Sequence, residues 1–423
     1  MGKRILLLVS ASSYRSAAFL AAAERLGLEV VQGVDMPREL ASYWRVELGL
    51  PFSQPEESAQ EIARFAAQSP IDAIIPVDDG ATLLAAQASA LLRLAYNDPE
   101  AVSAARDKWE MRRRLHAAGV PCPEFRRLSL TDDPQRLAEQ VVYPCVLKPL
   151  RLSGSRGVIR ANDPAEFRMA FERIKRMLLA DGQPEESTHL LAESFIPGFE
   201  VALEGLLDGG ELRVLALFDK PDPLDGPFFE ETIYVTPSRL SEAAQQSIAA
   251  CAAAASAAIG LREGPVHAEL RVNGAGPWMV ELAGRSIGGL CSSVLEFGAG
   301  MTLEELIIRH AVGLDTSAAA RRGEAAGVMM IPIPAGGRLR SFEGLEQART
   351  VPFIEDVAIS AKPGQRIVPL PEGSSYLGFI FAKGPSPTAV EDALRQAHVQ
   401  LRFDIQPELP VVGGNMLLGR APL

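Results

Sequence analysis

Two short segments of alternating apolar and polar residues, GPVHAELRV and WMVELA, stand on either side of the turn-forming residues 273–277. This pattern around an Asn/Gly/Pro-rich loop predicts an antiparallel β-hairpin. If Val272 pairs with Trp278, the register places Glu269 directly opposite Glu281. Facing Cβ atoms in such a pair lie roughly 5 Å apart, and like charges at that distance destabilise a sheet. A hard divalent cation held between the two carboxylates is the simplest reason for placing them there.

The size and charge of the chain limit its fold and its partners. With 423 residues the chain is too long for one ordinary core, so about two to four domains are expected. Hydrophobic residues make up 47% and charged residues 22%, which is an ordinary globular balance. The net charge is −11 and the basic residues are scattered. Nucleic acid is therefore not expected as a partner, because phosphate contacts need a basic surface.

Cysteine and histidine usage points to no metal or disulfide framework. Four cysteines lie far apart without a CxxC pair, and five histidines are scattered, so no zinc site is predicted. A reducing, cytoplasmic location is expected. The apolar run at residues 4–9 predicts a buried strand rather than a signal peptide, and no apolar run approaches the length of a membrane span.

The first hundred residues alternate between strand-like and helix-like segments. Apolar runs predict strands at 4–9, 28–32 and 73–77, and amphipathic segments predict helices at 16–26 and 56–68. This alternation predicts a parallel α/β sheet. The predicted fold class is multidomain, α/β followed by α+β, with expected boundaries at 1–100, 101–315 and 316–423.

A Gly/Ser-rich loop at residues 153–157 separates two predicted strands. Small residues let backbone N–H groups approach phosphate oxygens, although an ordinary flexible hairpin tip has the same composition. Lys148 ends the preceding strand, where it is either a phosphate ligand or a charge on a sheet edge. Lys108 begins a predicted helix, and the basic run 112–114 on that helix predicts a solvated face.

The sequence AESFIPG at residues 192–198 predicts a strand that runs into a turn. The backbone of Phe195 and Ile196 could hydrogen-bond the edge of a purine, with Glu193 accepting from its exocyclic amine. Glu200 could accept from ribose hydroxyls. The alternative is that both glutamates are surface charges at strand ends.

Four segments in this order resemble the ATP-grasp superfamily: DKWEMRRRLHAAGVPCP, YPCVLKPLRLSGSRGV, LAESFIPGFEVALEG and HAEL…VELAGR. The resemblance covers roughly residues 100–315. Within that superfamily the chain most resembles the L-amino acid ligases. The supporting features are Asp219-Lys220 followed by PFFEETIYVTPSRL, ELAGR in place of Glu-x-Asn-x-Arg, and the C-terminal stretch GVMMIPIPAGGRLR…VPLPEGSSYLGFIFAKG.

The resemblance implies an N-terminal α/β domain, an ATP-grasp domain with a lid subdomain at about 125–192, and a C-terminal closing domain. It implies catalytic roles for Arg285, Glu231 and Lys148, and metal ligation by Glu269 and Glu281. It implies a nucleotide site formed by Lys108, Lys148, Ser153, Gly154, Ser155, Gly157, Glu193, Phe195, Ile196 and Glu200. It implies an amino-acid pocket formed by Glu231, Tyr234, His267, Arg285, Gly288 and Gly289.

Two residues depart from the pattern of the superfamily. Ala283 stands where many ATP-grasp enzymes carry a metal-binding asparagine, which puts the coordination of a second metal in question. Gly289 would leave one side of the pocket open to a bulky second substrate, so Gly289→Trp is expected to reduce activity with large partners first.

His267 lies two residues from Glu269 on the same strand face, as either a general base or a pocket-lining hydrogen bonder.

The implied activity is ATP-dependent joining of two amino acids through an acyl phosphate, with release of ADP and phosphate. The implied cofactors are ATP and Mg²⁺, with Mn²⁺ as a substitute, and the implied assembly is a homodimer. One alternative is another ATP-grasp ligase or carboxylase, acting on a nucleotide amine or on bicarbonate. The other is a non-catalytic nucleotide-binding protein.

Overall fold

The structure is a computed structural model that describes residues 2–10, 13–181, 188–298, 300–317, 319–321 and 323–408. The N-terminal part contains a four-stranded sheet in the order β3-β2-β1-β4, and each of its pairs is parallel. This confirms the predicted α/β sheet. Its elements are β1 (Arg4–Val9), α1 (Ser16–Arg25), β2 (Glu29–Val34), α2 (Arg38–Trp44), β3 (Leu48–Gly49), α3 (Pro55–Gln68), β4 (Ala73–Pro76) and α4 (Thr82–Leu92).

A small antiparallel sheet follows, in the order β5-β8-β6-β7. A helix packs on this sheet through a core that includes Phe167, Phe171 and Ile174. We call this unit the lid sheet. The elements of this part are α5 (Pro99–Arg106), α6 (Lys108–Ala117), β5 (Phe125–Ser129), α7 (Pro134–Ala138), β6 (Cys145–Pro149), β7 (Ile159–Ala161), α8 (Pro164–Ala180) and β8 (His189–Ser194).

The start of α6 is fixed by a side-chain cap. The carboxylate of Asp107 accepts hydrogen bonds from the backbone N–H groups of Trp109 and Glu110, at 2.9 and 3.2 Å. Aspartate is among the preferred residues at this position because it satisfies N–H groups that have no partner within the helix. The cap makes Lys108 the first residue of α6, and the lysine is buried there.

Within the described residues, the remaining elements form one large sheet, a three-stranded sheet and a two-stranded sheet, together with four α-helices. They are β9 (Phe199–Asp208), β10 (Glu211–Lys220), β11 (Ile233–Thr236), α9 (Glu242–Ile259), β12 (Gly264–Asn273), β13 (Gly276–Ala283), β14 (Glu296–Phe297), β15 (Met301–Thr302), α10 (Leu303–Ala311), β16 (Ala325–Ile331), β17 (Gly337–Glu343), α11 (Leu345–Arg349), β18 (Ile354–Ile359), β19 (Arg366–Ile367), β20 (Gly378–Gly384), α12 (Pro387–Gln400) and β21 (Arg402–Gln406).

The large sheet has eight strands in the order β13-β12-β9-β10-β11-β16-β20-β18. It is continuous across the predicted boundary at residue 315, because Tyr234 of β11 pairs with Val328 of β16. The domain boundaries themselves stay a prediction. A single hydrophobic core also joins β1 and α1 to this sheet, with Ile5 and Phe19 in the same cluster as Phe218.

The hairpin of β12 and β13 has the predicted acidic pair but not the predicted turn. Val272 pairs with Pro277 rather than Trp278, so the expectation for the loop was wrong. The actual turn is tighter, and Gly276 adopts a φ of +111° in it. A bulge between Glu269 and Leu270 then shifts the register, which brings Glu269 opposite Glu281 after all.

Among the helices of the described residues, none combines the length and the apolar character that crossing a bilayer requires.

Candidate functional site

Two adjoining cavities open around the strands of the acidic hairpin. The first lies between the lid sheet and the large sheet, and the second lies between the N-terminal part, the hairpin and the C-terminal part. The wall common to both is formed by Ser155, Glu231, Glu269 and Glu281. Whatever occupies one cavity therefore meets the occupant of the other at these side chains.

All of the predicted site residues except Gly157 line one or both of the two cavities. A Cβ atom at Gly157 would lie 2.6 Å from Cγ of Pro149, and its φ is +72°, so this position requires glycine. The first cavity is lined by Lys108, Lys148, Ser155, Glu193, Phe195, Ile196 and Glu200. The second is lined by Ser153, Gly154, Ser155, Tyr234, His267, Arg285, Gly288 and Gly289.

At the inner end of the first cavity, Glu193 stands between two cations. Its carboxylate oxygens lie 2.7 Å from Nε of Arg112 and 2.7 Å from Nζ of Lys148. Burial would raise the pKa of Glu193, but the two cations outweigh burial and lower it. Arg112 is fully buried, so the expectation of a solvated face was wrong at this residue. A run of three arginines on a short helix does not indicate that the side chain of one of them is buried.

A buried lysine, Lys220, to which the sequence analysis assigned no role in the site, connects three acidic residues. Nζ of Lys220 lies 2.9 Å from Glu200, 2.5 Å from Glu231 and 3.2 Å from Glu269. Burial alone would lower the pKa of Lys220, but the three carboxylates raise it well above its usual value. Lys220 is therefore a fixed positive charge that lets three glutamates share one buried region.

The same cluster sets different pKa values for two of its carboxylates. Burial and the neighbouring charge of Glu269 raise the pKa of Glu231 to about 7, although Lys220 acts in the opposite direction. Burial would also raise the pKa of Glu269, but Lys220 and His267 hold it well below its usual value. Glu269 is thus anionic at neutral pH and available to a cation.

Glu200 is held on both of its oxygens. One accepts from Lys220 at 2.9 Å and the other from Nε of Arg271 at 2.9 Å. Arg271 also donates to the carbonyl of Ile196 at 2.7 Å, which fixes the turn after β8. A carboxylate offers about four acceptor positions, so Glu200 can still accept from a ligand hydroxyl.

The acidic pair fits a hard divalent cation. Glu281 is about a third exposed, faces both cavities, and lies 3.4 Å from Nζ of Lys108. Carboxylate oxygens from two neighbouring strands at the wall of a cavity are ligands of the kind that Mg²⁺ commonly takes. Ala283, which pairs with His267 two residues further along β13, offers no ligand atom.

Two arginines form the cationic end of the second cavity. Arg285 follows β13, with Nε 3.6 Å from a carboxylate oxygen of Asp79. Arg15, near the start of α1, is buried and donates to the hydroxyl of Ser286 at 2.6 Å and to the carbonyl of Val77 at 2.9 Å. Sequence reasoning missed Arg15, because its partner at Ser286 is 271 residues away along the chain.

His267 is held between two carboxylates. Its Nδ1 lies 2.6 Å from Glu204 and its Nε2 lies 3.4 Å from Glu269. Burial would lower the pKa of His267, but hydrogen bonds to both glutamates raise it to about 9. An imidazole that is protonated at neutral pH is a poor general base. This geometry favours the hydrogen-bonding role over the general base.

Two family models match this chain. A model of the ATP-grasp domain matches residues 141–294, and a model of the L-amino acid ligase C-terminal domain 2 matches residues 329–406. The first match contains β6, β7 and β8 of the lid sheet, Lys148, and both strands of the acidic hairpin. The chain contains an ATP-grasp domain and an L-amino acid ligase C-terminal domain.

The chain is also similar to individual proteins. The chain is 26% identical to an uncharacterized protein of Sinorhizobium fredii, over 73% of this chain and 63% of that protein. It is 26% identical to alanine–anticapsin ligase of Bacillus subtilis, over 69% of this chain and 66% of that protein. A crystal structure of an L-amino acid ligase from Bacillus licheniformis superposes with a TM-score of 0.81 at 26% identity, covering 96% of this chain and 99% of that one. The matches span just under two thirds of the length of these two curated relatives.

The lining of the second cavity contains two glycines with different surroundings. A Cβ atom at Gly289 would lie 3.2 Å from the ring of Phe379, and φ there is +64°. The expectation that Gly289 leaves this side open was therefore wrong, because a C-terminal aromatic ring already fills it, and Gly289→Trp would strain the backbone. At Gly288 an added Cβ would meet no atom within 4 Å.

Proposed function

We propose that this protein is an ATP-dependent carboxylate–amine ligase that joins two amino acids and releases ADP and phosphate. The observation that carries the proposal is the wall of Glu231, Glu269 and Glu281 common to both cavities. At this wall a nucleotide in one cavity and an organic acid in the other would lie next to each other, beside a cation site. The names of the relatives, alanine–anticapsin ligase and L-amino acid ligase, support the same reaction class.

The nucleotide would occupy the first cavity. Its phosphates would lie against Lys108, Lys148 and the loop 153–157, in which the N–H groups of Ser153 to Ser155 donate to no acceptor among the described residues. Glu269 and Glu281 would hold Mg²⁺, which when bound neutralises charge on the phosphate oxygens. Binding in this manner is mostly positioning and charge neutralisation, as in other phosphoryl transfers.

The acid substrate would occupy the second cavity. Its carboxylate oxygen attacks the γ-phosphorus, the bond from phosphorus to ADP breaks, and an acyl phosphate forms. The amine of the second amino acid then attacks the acyl carbon, loses a proton, and phosphate leaves. Arg285 would stabilise the transferred phosphoryl group and the later oxyanion. Glu231 would hold a substrate ammonium, since its carboxylate faces both cavities.

A matrix of amino-acid pairs tests this function. The purified protein is incubated with ATP and Mg²⁺, and released phosphate and product mass are measured together. Formation of a dipeptide in a fixed ratio to phosphate is expected. Phosphate release with bicarbonate or a ribonucleotide amine instead would indicate another ATP-grasp ligase or carboxylase. Nucleotide binding without turnover across the whole matrix would contradict catalysis.

The cytoplasmic location and the homodimer stay predictions, and light scattering of the purified protein checks the latter.

Gly288 provides a test of which cavity holds the amino acids. We expect Gly288→Leu to lower kcat/KM about tenfold or more for bulky amino acids relative to alanine. Gly288 lines the cavity and an added Cβ there meets no atom within 4 Å, so the new side chain would take up space in the cavity. The matched control is Gly274→Leu in the hairpin turn, where an added Cβ also meets no atom within 4 Å but no cavity is lined. The measurement is kcat/KM for a size series, and equal losses for all sizes would contradict the assignment.

A further inference from the structure

A segment of the C-terminal part reaches across to the Gly/Ser loop of the lid sheet. This segment, residues 371–374, lies between β19 and β20. The backbone N–H of Gly157 donates to the carbonyl of Pro371 at 2.9 Å, and Nε of Arg156 donates to the carbonyl of Glu372 at 2.7 Å. Arg156 is more than two hundred residues from Glu372 along the chain, so these bonds join two separate parts of the fold.

The side chain of Glu372 adds a second connection to the lid sheet. Its two oxygens accept from Nε and Nη2 of Arg173 on α8, at 2.6 and 2.8 Å. This is the bidentate geometry in which an arginine and a carboxylate fix one another's orientation as well as their separation. The guanidinium of Arg156 is fixed in turn by Asp181, at 2.8 and 2.7 Å. Arg156 and Arg173 are thus both oriented toward the C-terminal segment.

The segment also closes the same opening as the loop. Ser374 and Gly154 both line the second cavity, and a Cβ atom at Gly154 would lie 3.4 Å from Cβ of Ser374. The loop and the segment therefore meet edge to edge above the wall that both cavities have in common. A loop that was free of this segment could move away from that wall, because Gly154 and Gly157 permit backbone conformations that other residues resist.

We propose that residues 371–374 are a latch that holds the loop 153–157 closed over the reaction site, and that Glu372 is its positioning residue. The inference rests on the proposed ligase function. An acyl phosphate hydrolyses when water reaches it, so a closed loop raises the fraction of intermediate that is captured by the amine. Glu372 touches neither substrate in this arrangement; it acts through Arg173 and through the loop backbone.

The test is the ratio of phosphate released to amide formed. Glu372→Gln and Arg173→Gln are each expected to raise this ratio about fivefold, which is the effect of losing a well-formed but partly exposed ion pair. The double variant Glu372→Arg with Arg173→Glu is expected to return the ratio toward that of the unaltered protein, since it restores the pair. The matched control is Glu346→Gln, which removes an exposed ion pair with Arg349 elsewhere in the C-terminal part.

A second readout does not need amide formation. We expect trypsin to cleave after Arg156 only when the loop opens. The rate of this cleavage is measured in the presence of a non-hydrolysable ATP analogue and Mg²⁺. It is expected to be about fivefold higher in Glu372→Gln than in the control variant. A phosphate-to-amide ratio and a cleavage rate that are both unchanged in Glu372→Gln and Arg173→Gln would overturn the latch. Faster cleavage in an otherwise intact protein that makes no amide with any amino-acid pair would sink the ligase function and leave the latch standing.

Discussion

Replacing Glu281 by glutamine is expected to lower the rate of amide formation about 10²–10³-fold without unfolding the protein. The side chain is about a third exposed, lies on the β12–β13 hairpin opposite Glu269, and forms part of the wall between the two cavities. Glutamine keeps the shape of the side chain but removes the negative charge that would hold a divalent cation. The loss should therefore appear in catalysis and in metal affinity rather than in stability.

The measurement is turnover as a function of Mg²⁺ concentration, together with thermal unfolding of the variant. Part of the loss should be recovered at high Mg²⁺, because the remaining ligand Glu269 still attracts the ion. Glu355→Gln is the matched control, since it makes the same change at an exposed strand residue remote from both cavities. Unaltered turnover of Glu281→Gln at limiting Mg²⁺ would show that this carboxylate is not a metal ligand.

The replacement of Lys220 by methionine is expected to destabilise the folded protein by about 3–5 kcal/mol. Methionine has a similar length and fills the same space, but it leaves Glu200, Glu231 and Glu269 with less positive charge inside the protein. Removing one partner of a buried ion pair is costly because the other partner remains buried and uncompensated. Three carboxylates converge on this ammonium, which places the effect at the upper end for a single substitution.

Denaturant unfolding at pH 7 in the absence of nucleotide measures this loss. Lys362→Met is the control, because it removes the same charge from an exposed position. Adding Glu269→Gln to Lys220→Met should recover part of the stability, since it removes a carboxylate whose pKa lies well below its usual value and which is therefore charged at pH 7. A loss of less than about 1 kcal/mol, as for a surface ion pair, would show that water or another cation compensates the cluster.

The sequence was most informative where a feature depends on neighbours along the chain. Helix α8 begins at a proline after Asp163, whose side chain caps it, and both signals stand in the sequence. Strand β1 of the N-terminal sheet is a continuous apolar run after Arg4, as expected for a strand buried on both faces. The position of Glu269 opposite Glu281 was predicted from a wrong turn, and the β-bulge that corrected the register has no signature in the residues around it.

Features built from distant parts of the chain could not be predicted. Lys220 lies in an apolar strand, where a lysine is as often a charge at the edge of a sheet. Its role depends on ion pairs with carboxylates from three other segments of the chain. Arg15 is fixed by a hydroxyl that follows the acidic hairpin. The four-residue strand β11 is too short for a periodic pattern, yet it joins the ATP-grasp strands to the C-terminal ones.

The continuity of the large sheet through β11 limits how the C-terminal part of this protein can be removed or exchanged. A shortened chain that stopped before β16 would leave the backbone groups of β11 without their neighbour and would uncover the apolar residues that β16 and β20 bury. Unpaired strand borders of this kind recruit other chains and promote aggregation. The C-terminal part cannot therefore be exchanged between relatives as if it were an independent domain. A chimaera keeps its solubility only if the donor supplies a strand that completes the recipient's sheet in the same register.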